Sequence, residues 1–122
     1  MTELPSVTSE YLRTLRVNEE NRLFKINSIV QAIYPEVLTS AKYTGEKAYY
    51  HEINFVDRVF YITNMLEILA GLKNLFPDAY IEHTLLAPGD DGKMYDIAKL
   101  TDATLRRVNK ANNNSYIVVD WT

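Results

Sequence analysis

The sequence predicts an α+β fold in which one mixed or antiparallel sheet of three to four strands is covered on one face by two long helices. Two stretches of the chain carry apolar residues at the spacing of an amphipathic helix, and the final stretch alternates with the two-residue period of a strand. In this packing each apolar face has an apolar partner. At 122 residues the chain has the size of one domain. We therefore expect residues 1–122 to form a single domain.

The first long helix is predicted to begin at Asn18, a favourable N-cap that two glutamates follow. Its apolar face carries Leu23, Ile26, Val30, Ile33 and Val37. Residues 11–15 show a weaker apolar pattern and belong either to an extra helix or to an earlier part of this one. Pro35 predicts a kink, or the end of the helix and a short new turn, because proline removes a donor and clashes with the preceding turn. Residues 1–8 are polar and aperiodic, which predicts a flexible arm.

The first strand is predicted over residues 47–53, which are rich in aromatic and β-preferring side chains. The two-residue period places Tyr49, His51 and Ile53 on one side of the sheet, and Ala48, Tyr50 and Glu52 on the other.

The second long helix is predicted from Asn54 to Phe76, where Pro77 ends it. Its buried seam is predicted to consist of Phe55, Val59, Ile62, Leu66, Leu69 and Phe76. Further apolar residues widen this stripe. We therefore expect the helix to be covered on more than one side and to lie at the centre of the core.

The C-terminal third predicts a hairpin, a short helix and a final strand. Residues 80–86 and 93–97 form the hairpin strands, because a dense turn signal separates them. The short helix spans residues 102–109 and is capped by Thr101. The final strand, residues 115–121, has valine and isoleucine on both sides, which favours a position inside the sheet. If the strands before and after the second long helix are adjacent and parallel, their crossover is expected to be right-handed.

The composition excludes several kinds of site. The chain has no cysteine, which excludes disulfides, thiolate zinc sites and a cysteine nucleophile and favours a reducing compartment. The N-terminal stretch lacks the basic start and apolar run of a secretory signal, and no window holds the roughly 18 apolar residues of a membrane span. We therefore expect no secretion by a signal peptide and no membrane contact.

Nothing in the sequence nominates a catalytic residue or a cofactor. The chain has four glycines and none of the glycine-rich loops that bind phosphate. His51 and His83 would share a face of the sheet if their strands were neighbours, but two ligands fall short of a metal site. The aspartates around residues 89–92 lack the spacing of a calcium loop. We predict no catalytic, cofactor-binding or metal-binding residue, while a carboxylate pair assembled only in space stays open.

Nine tyrosines and one tryptophan are the most informative feature of the composition. Aromatic side chains bring a large contact area at low entropic cost and are enriched in protein interfaces. We single out Tyr49, Tyr50, Tyr80 and Tyr116 as candidate partner contacts. Simple packing of these tyrosines on a half-buried sheet is equally consistent with the sequence.

The charge distribution argues against nucleic-acid binding. The net charge is −3, and basic residues are mostly interleaved with acidic ones. Arg106, Arg107 and Lys110 are the exception, because they lie close together on the predicted short helix. They are candidate phosphate contacts, although a solvated helix face near Asp102 explains them as well.

The order of elements resembles that of a group of viral proteins. A long helix, Gly-Glu-Lys-Ala-Tyr-Tyr at 45–50, a helix ending in Phe-Pro-Asp at 76–78, and Tyr-Ile-Val-Val-Asp-Trp-Thr at 116–122 resemble small uncharacterised α/β proteins of large double-stranded DNA viruses and some tailed phages. Those proteins often end in an aliphatic strand closed by a tryptophan and a small polar residue. The resemblance covers residues 20–85 and the last seven, and the segment 88–114 is longer than expected for that group. It implies a viral protein and carries no site residue across.

Three functions are consistent with these features. Our prediction is a non-enzymatic structural protein, a small virion component such as a minor capsid or adaptor protein, located in the virion or the host cytoplasm. It would bind other copies or other virion proteins, with the N-terminal arm and an exposed sheet edge as interface elements. The alternatives are an intracellular module that binds nucleic acid or a host protein, and an enzyme whose site is assembled in space.

Overall fold

The computed structural model describes residues 4–122 of the chain. This part contains four helices and four strands. The helices are α1 (Ser9–Tyr43), α2 (Arg58–Thr63), α3 (Met65–Leu75) and α4 (Asp102–Leu105). The strands are β1 (Ala48–Glu52), β2 (Tyr80–Pro88), β3 (Met94–Asp96) and β4 (Asn114–Asp120). Short 3-10 segments lie at Phe55–Asp57, Ile97–Lys99 and Lys110–Asn112.

The strands form one antiparallel sheet in the order β1-β4-β2-β3, and the long helices pack on one of its faces. The predicted α+β class and the hairpin of β2 and β3 are confirmed. β4 lies between β1 and β2, as the apolar residues on both of its sides predicted. Because β4 is antiparallel to both neighbours, β1 and β2 run in the same direction without pairing. The handedness rule for adjacent parallel strands therefore does not apply to them.

α1 is a single helix of 35 residues, which is about 52 Å long. Thr8 is its N-cap, and the side-chain oxygen of Thr8 accepts a hydrogen bond from the N–H of Tyr11 at 3.1 Å. The predicted start at Asn18 is wrong, because good helix formers precede that residue and extend the helix toward Thr8. Pro35 lies inside α1 and does not end it.

The arm that was predicted over residues 1–8 is described from Leu4 onward. Residues 4–8 carry no regular structure and are exposed. Residues 1–3 lie outside the described residues.

The second predicted helix is divided at Asn64, where the backbone leaves helical angles with φ −111° and ψ 19°. The predicted seam is largely wrong, because Phe55, Val59 and Leu66 are 83%, 78% and 84% exposed. The buried side chains are instead Tyr61, Met65, Ile68 and Leu72. The predicted seam assumed one continuous helix, whereas the break at Asn64 changes the phase of α3 relative to α2. Within α3 the buried side chains share one face, and Glu67 and Asn74 lie on the other. The segment covers the sheet from one side and does not lie at the centre of the core.

The core lies between the helices α1 to α3 and the inner face of the sheet. Its fully buried side chains are Ile33, Ile53, Ile68, Leu72, Ile117 and Val119. Burial of one such side chain contributes about 1.5–3 kcal/mol relative to exposure. Gly71 of α3 permits a close approach of α1, since a Cβ atom at this position would lie 2.9 Å from Cγ2 of Val30.

α4 is capped by Thr101 through a reciprocal capping box, as predicted. It ends at Leu105, whereas the sequence predicted a helix that continued to Asn109. The main chain beyond Leu105 is bonded to the β2–β3 hairpin, where the oxygen of Arg107 accepts a hydrogen bond from the N–H of Asp90 at 2.9 Å. These tertiary hydrogen bonds replace the helical ones.

The orientation of α3 predicts opposite outcomes for two neighbouring apolar residues. Ile68→Ala removes a side chain with 0% exposure and is expected to lower the free energy of unfolding by about 2–5 kcal/mol. Leu66→Ala removes a side chain that is 84% exposed and is expected to change that free energy by less than about 0.5 kcal/mol. Urea denaturation at low protein concentration, followed by circular dichroism, measures both. A larger loss for Leu66→Ala would show that the buried face is the one predicted from the sequence.

Candidate functional site

The four candidate tyrosines lie on both faces of the sheet. Tyr49 lies on the inner face, where its hydroxyl contacts α1. Tyr50, Tyr80 and Tyr116 lie on the outer face, as the strand register shows. The alternation predicted for residues 47–53 is thereby confirmed. The structure places three of the four candidates on one surface and separates Tyr49 from them.

The outer-face tyrosines differ in exposure. Tyr50 and Tyr80 expose 43% and 60% of their surface, whereas Tyr116 is half-buried. The hydroxyl of Tyr80 donates a hydrogen bond to Oε2 of Glu82 at 3.0 Å, and this bond raises the pKa of Tyr80. Burial raises the pKa of Tyr116. Of these two, Tyr80 donates its hydroxyl proton to a neighbouring carboxylate.

A polar cluster on the inner face joins α1, β1 and α2. Oε2 of Glu36 accepts a hydrogen bond from the hydroxyl of Tyr49 at 2.7 Å and lies 3.1 Å from Nδ1 of His51. Nε2 of His51 lies 3.2 Å from the hydroxyl of Tyr61. His51 thus connects a carboxylate to a phenol. Glu36 was not among the predicted site residues, and its place three residues after the buried Ile33 is the signal that could have indicated it.

The surroundings of this cluster raise the pKa values of its two tyrosine hydroxyls. Burial, followed by the hydrogen bond to Glu36, raises the pKa of Tyr49 to about 12, and burial raises the pKa of Tyr61. An imidazole between a carboxylate and a phenol can pass a proton from one to the other. The same hydrogen bonds fix β1 and α2 to α1, so a structural role accounts for the arrangement as well. A surface groove of about 500 Å³, lined in part by Pro35 and Tyr43, borders this cluster.

His51 and His83 face the same side of the sheet, because both lie opposite Ile117 in the register. β4 separates them, which places their backbones about 10 Å apart. Within residues 4–122, no three histidine, aspartate or glutamate side chains are close enough to hold a metal ion. Nε2 of His83 is buried and has no hydrogen-bond partner among the described residues. Burial lowers the pKa of His83, which favours the neutral ring.

Arg106 and Arg107 lie in the turn after α4 and Lys110 begins the following 3-10 segment, and all three are exposed. The prediction that Arg106, Arg107 and Lys110 share one helix is wrong, because α4 ends before them. The hydrogen bond between Asp90 and the main chain of Arg107 brings the acidic tip of the hairpin next to this turn. Nearby carboxylates reduce the positive potential that a phosphate would meet there.

A row of exposed apolar side chains covers the solvent side of the segment from Phe55 to Leu66. We call it the apolar patch, and each of its members is at least 53% exposed: Phe55, Val56, Val59, Ile62 and Leu66. The last four recur at spacings of three or four residues, and Phe55 directly precedes Val56 in the chain. The first two belong to the 3-10 segment, and the break at Asn64 separates Ile62 from Leu66. Four of these five were assigned to the core in the sequence analysis. Extended exposed apolar patches on a soluble protein mark contact sites.

The N-terminal part of α1 is also uncovered. Ser9–Asn21, which we call the projecting segment, consists entirely of exposed residues. It carries four apolar side chains that are 41–56% exposed: Tyr11, Leu12, Leu15 and Val17. The first buried residue of α1 is Ile26. The weak helical pattern at residues 11–15 was predicted to be an extra helix or an earlier part of the first long helix, and the structure confirms the second alternative.

Acidification is expected to destabilise the protein through His83. Burial places the folded-state pKa of this histidine below its ordinary value of 6.5, so the unfolded chain binds more protons. The free energy of unfolding therefore falls as the pH drops from about 7.5 to about 5.5. His83→Gln cannot be protonated and is expected to flatten this dependence in urea titrations across the same range. Coinciding slopes for the wild type and His83→Gln would contradict the assignment.

No family model, no curated protein and no solved structure matches this chain. None of the helices between Leu4 and Thr122 has the length and apolar content that a membrane span needs. The contact surfaces and the polar cluster are therefore assigned from the geometry of this chain alone.

Proposed function

We propose that this chain is a non-enzymatic structural protein, a small virion component such as a minor capsid or adaptor protein, that acts through protein–protein contacts. The apolar patch carries the proposal, since its five large apolar side chains are each at least 53% exposed and lie close together in the chain, within residues 55–66. Such a surface is stabilised when another protein covers it. The virion or the host cytoplasm is the location that follows from this function.

The side chains of the apolar patch favour binding of another protein over it. Covering apolar surface contributes roughly 25 cal/mol per Å², and patches of a few hundred Å² on soluble proteins mark interaction sites. The guanidinium of Arg58 lies 5.7 Å from the centroid of the Phe55 ring. Arginine and large aromatic side chains are typical of binding sites, where they cluster near the centre of the interface. We therefore place the centre of the proposed interface at Phe55.

The outer face of the sheet offers a second contact surface. Tyr50 and Tyr80 are 43% and 60% exposed there. Tyr50 belongs to β1, an edge strand with no partner on its outer side among the described residues. The main-chain groups of such an edge can pair with an added strand from another chain. The exposed edge thus supports the contact role, and the resemblance to small viral proteins supports the assignment to a virion.

The proposal predicts that the protein is present in purified virus particles and that the apolar patch is needed for its incorporation. Val59→Asp combined with Leu66→Asp is expected to lower the copy number per particle at least about tenfold, because an unpaired carboxylate in an interface is costly to desolvate. Both side chains are exposed, at 78% and 84%, so folding is expected to be unaffected. Quantitative mass spectrometry of gradient-purified particles measures the copy number.

Tyr43→Asp is the matched control, because Tyr43 is 73% exposed at the opposite end of α1 from the patch. This variant is expected to enter particles at the wild-type copy number. A chain that is monomeric in solution and absent from particles would contradict the proposed function. Salt-sensitive binding of DNA or RNA, lost in Arg106→Ala combined with Arg107→Ala, would instead favour the nucleic-acid module.

A further inference from the structure

The surface groove beside the polar cluster lies between the C-terminal part of α1 and β1. Rings and methyl groups form most of its lining, which includes Pro35, Thr39, Tyr43 and Tyr49. Its volume of about 500 Å³ is within the range of small-molecule sites. Among the described residues that line the groove, Glu36 is the only one with a carboxyl group, and none is basic. The groove therefore combines an apolar lining with a single negative charge.

The carboxylate of Glu36 is oriented from inside the protein. Its Oε2 accepts a hydrogen bond from the hydroxyl of Tyr49 at 2.7 Å and lies 3.1 Å from Nδ1 of His51. Its Oε1 accepts no hydrogen bond from the residues between Leu4 and Thr122, and 41% of the Glu36 side chain is exposed. One oxygen thus fixes the carboxylate, while the other is free to accept a hydrogen bond from a ligand. Groups that are oriented before binding lower the entropic cost of binding.

No permanent cation of the described chain neutralises Glu36. Its ion-pair partner within residues 4–122 is His51, which carries a charge only when its ring is protonated. No lysine or arginine of this part of the chain forms an ion pair with Glu36. A cation that entered the groove would therefore meet a carboxylate whose charge is not already paired.

The hydroxyls at the end of the groove already have partners. Oγ1 of Thr44 donates a hydrogen bond to the main-chain oxygen of Ser40 at 2.7 Å and accepts one from the N–H of Glu46 at 3.2 Å. The hydroxyl of Ser40 lies 3.5 Å from that of Thr44. The free oxygen of Glu36 is thus the strongest acceptor in the groove, because carboxylates form stronger hydrogen bonds than neutral groups do.

We propose that this groove binds a small primary amine. Its ammonium group donates a hydrogen bond to Oε1 of Glu36, and its apolar stem packs against the rings of Pro35 and Tyr43. Aromatic rings attract cations and also cover apolar stems. Glu36 and Tyr43 are about 10 Å apart along the helix axis, so a stem of that length or less fits between them. Nζ of Lys42 lies 5.2 Å from the centroid of the Tyr43 ring, so this ring already interacts with an ammonium group.

Titration of the isotope-labelled full chain with phenethylamine, followed by the NMR chemical shifts of the backbone amides, tests the proposal. The protonated amine is expected to bind with a dissociation constant of about 1 mM or lower, since one charged contact and a few ring contacts hold it. The largest shifts are expected within residues 35–49. Phenethyl alcohol has the same ring and stem without the charge, and it is expected to bind at least about fivefold more weakly.

Glu36→Gln is expected to weaken binding of the amine at least about fivefold and to leave binding of the alcohol unchanged. Glutamine still accepts the hydrogen bond from Tyr49 but carries no charge. Tyr43→Ala removes a ring that is 73% exposed, so the fold is expected to be kept while binding weakens about threefold. Glu10→Gln is the matched control, because it removes the same charge from an exposed position near the other end of α1. This variant is expected to bind the amine as the wild type does.

Several results would overturn the amine site. These are an absence of saturation up to about 20 mM amine, largest shifts outside residues 35–49, and equal affinities of the wild type for the amine and the alcohol. Equal affinities of Glu36→Gln and Glu10→Gln for the amine would do the same. The comparison of amine with alcohol uses only the wild-type chain, so it decides the question even if Glu36→Gln does not fold.

The amine site and the proposed function fail separately. No residue that lines the groove belongs to the apolar patch. A chain that enters particles but does not bind the amine would overturn only the amine site. A chain that binds the amine but is absent from particles would overturn only the role as a virion component.

Discussion

The core in which α1 and α3 meet β4 is the packing on which the rest of the structure depends. α1 lies against β1 and α3 against β2, and side chains of both helices reach the inner face of β4 between them. Ile117 and Val119 of β4 are fully buried in one core cluster with Ile33, Ile68 and Leu72. β4 also pairs with both β1 and β2, so one strand connects the helices to most of the sheet. Once the face of β4 is fixed, the register decides which side chains of its neighbours point inward. The positions of the tyrosines and histidines follow from this single choice.

The same contact explains why the two exposed apolar surfaces exist. β4 has seven residues and is about 23 Å long, whereas α1 is about 52 Å long. The sheet can therefore cover only part of α1, and the projecting segment extends beyond it. The segment from Phe55 to Leu66 carries apolar side chains beyond the face that meets the core, and the sheet leaves these exposed. Both surfaces exist because the helices carry more apolar side chains than one small sheet can cover. This excess of apolar surface is consistent with a contact role.

Strand period and turn chemistry made much of the fold predictable. The alternation of residues 47–53, the hairpin and the central position of β4 rest on local signals, because strand faces and turns depend on neighbouring residues. The buried face of α3 was missed because the seam was drawn through Asn64 as if the helix were continuous, whereas α3 itself carries its apolar and polar residues on different faces. The faces of the candidate tyrosines followed from the strand period.

Glu36 was missed because its partners Tyr49 and His51 lie 13 and 15 residues further along the chain. The apolar patch was assigned to the core because sequence does not distinguish a side chain that packs within its own chain from one that packs against another.

The position of β4 has a consequence for biosynthesis. β4 is made after the other three strands, yet it separates β1 from β2. On the ribosome, β1 and β2 therefore emerge without the neighbour that joins them, and the apolar faces of α1 and α3 stay open until residues 114–120 leave the exit tunnel. Contacts between distant parts of a chain form slowly, and open apolar surface attracts chaperones or other nascent chains. The sheet of this protein is therefore completed after translation of β4, and chaperones have the whole preceding period in which to bind the chain.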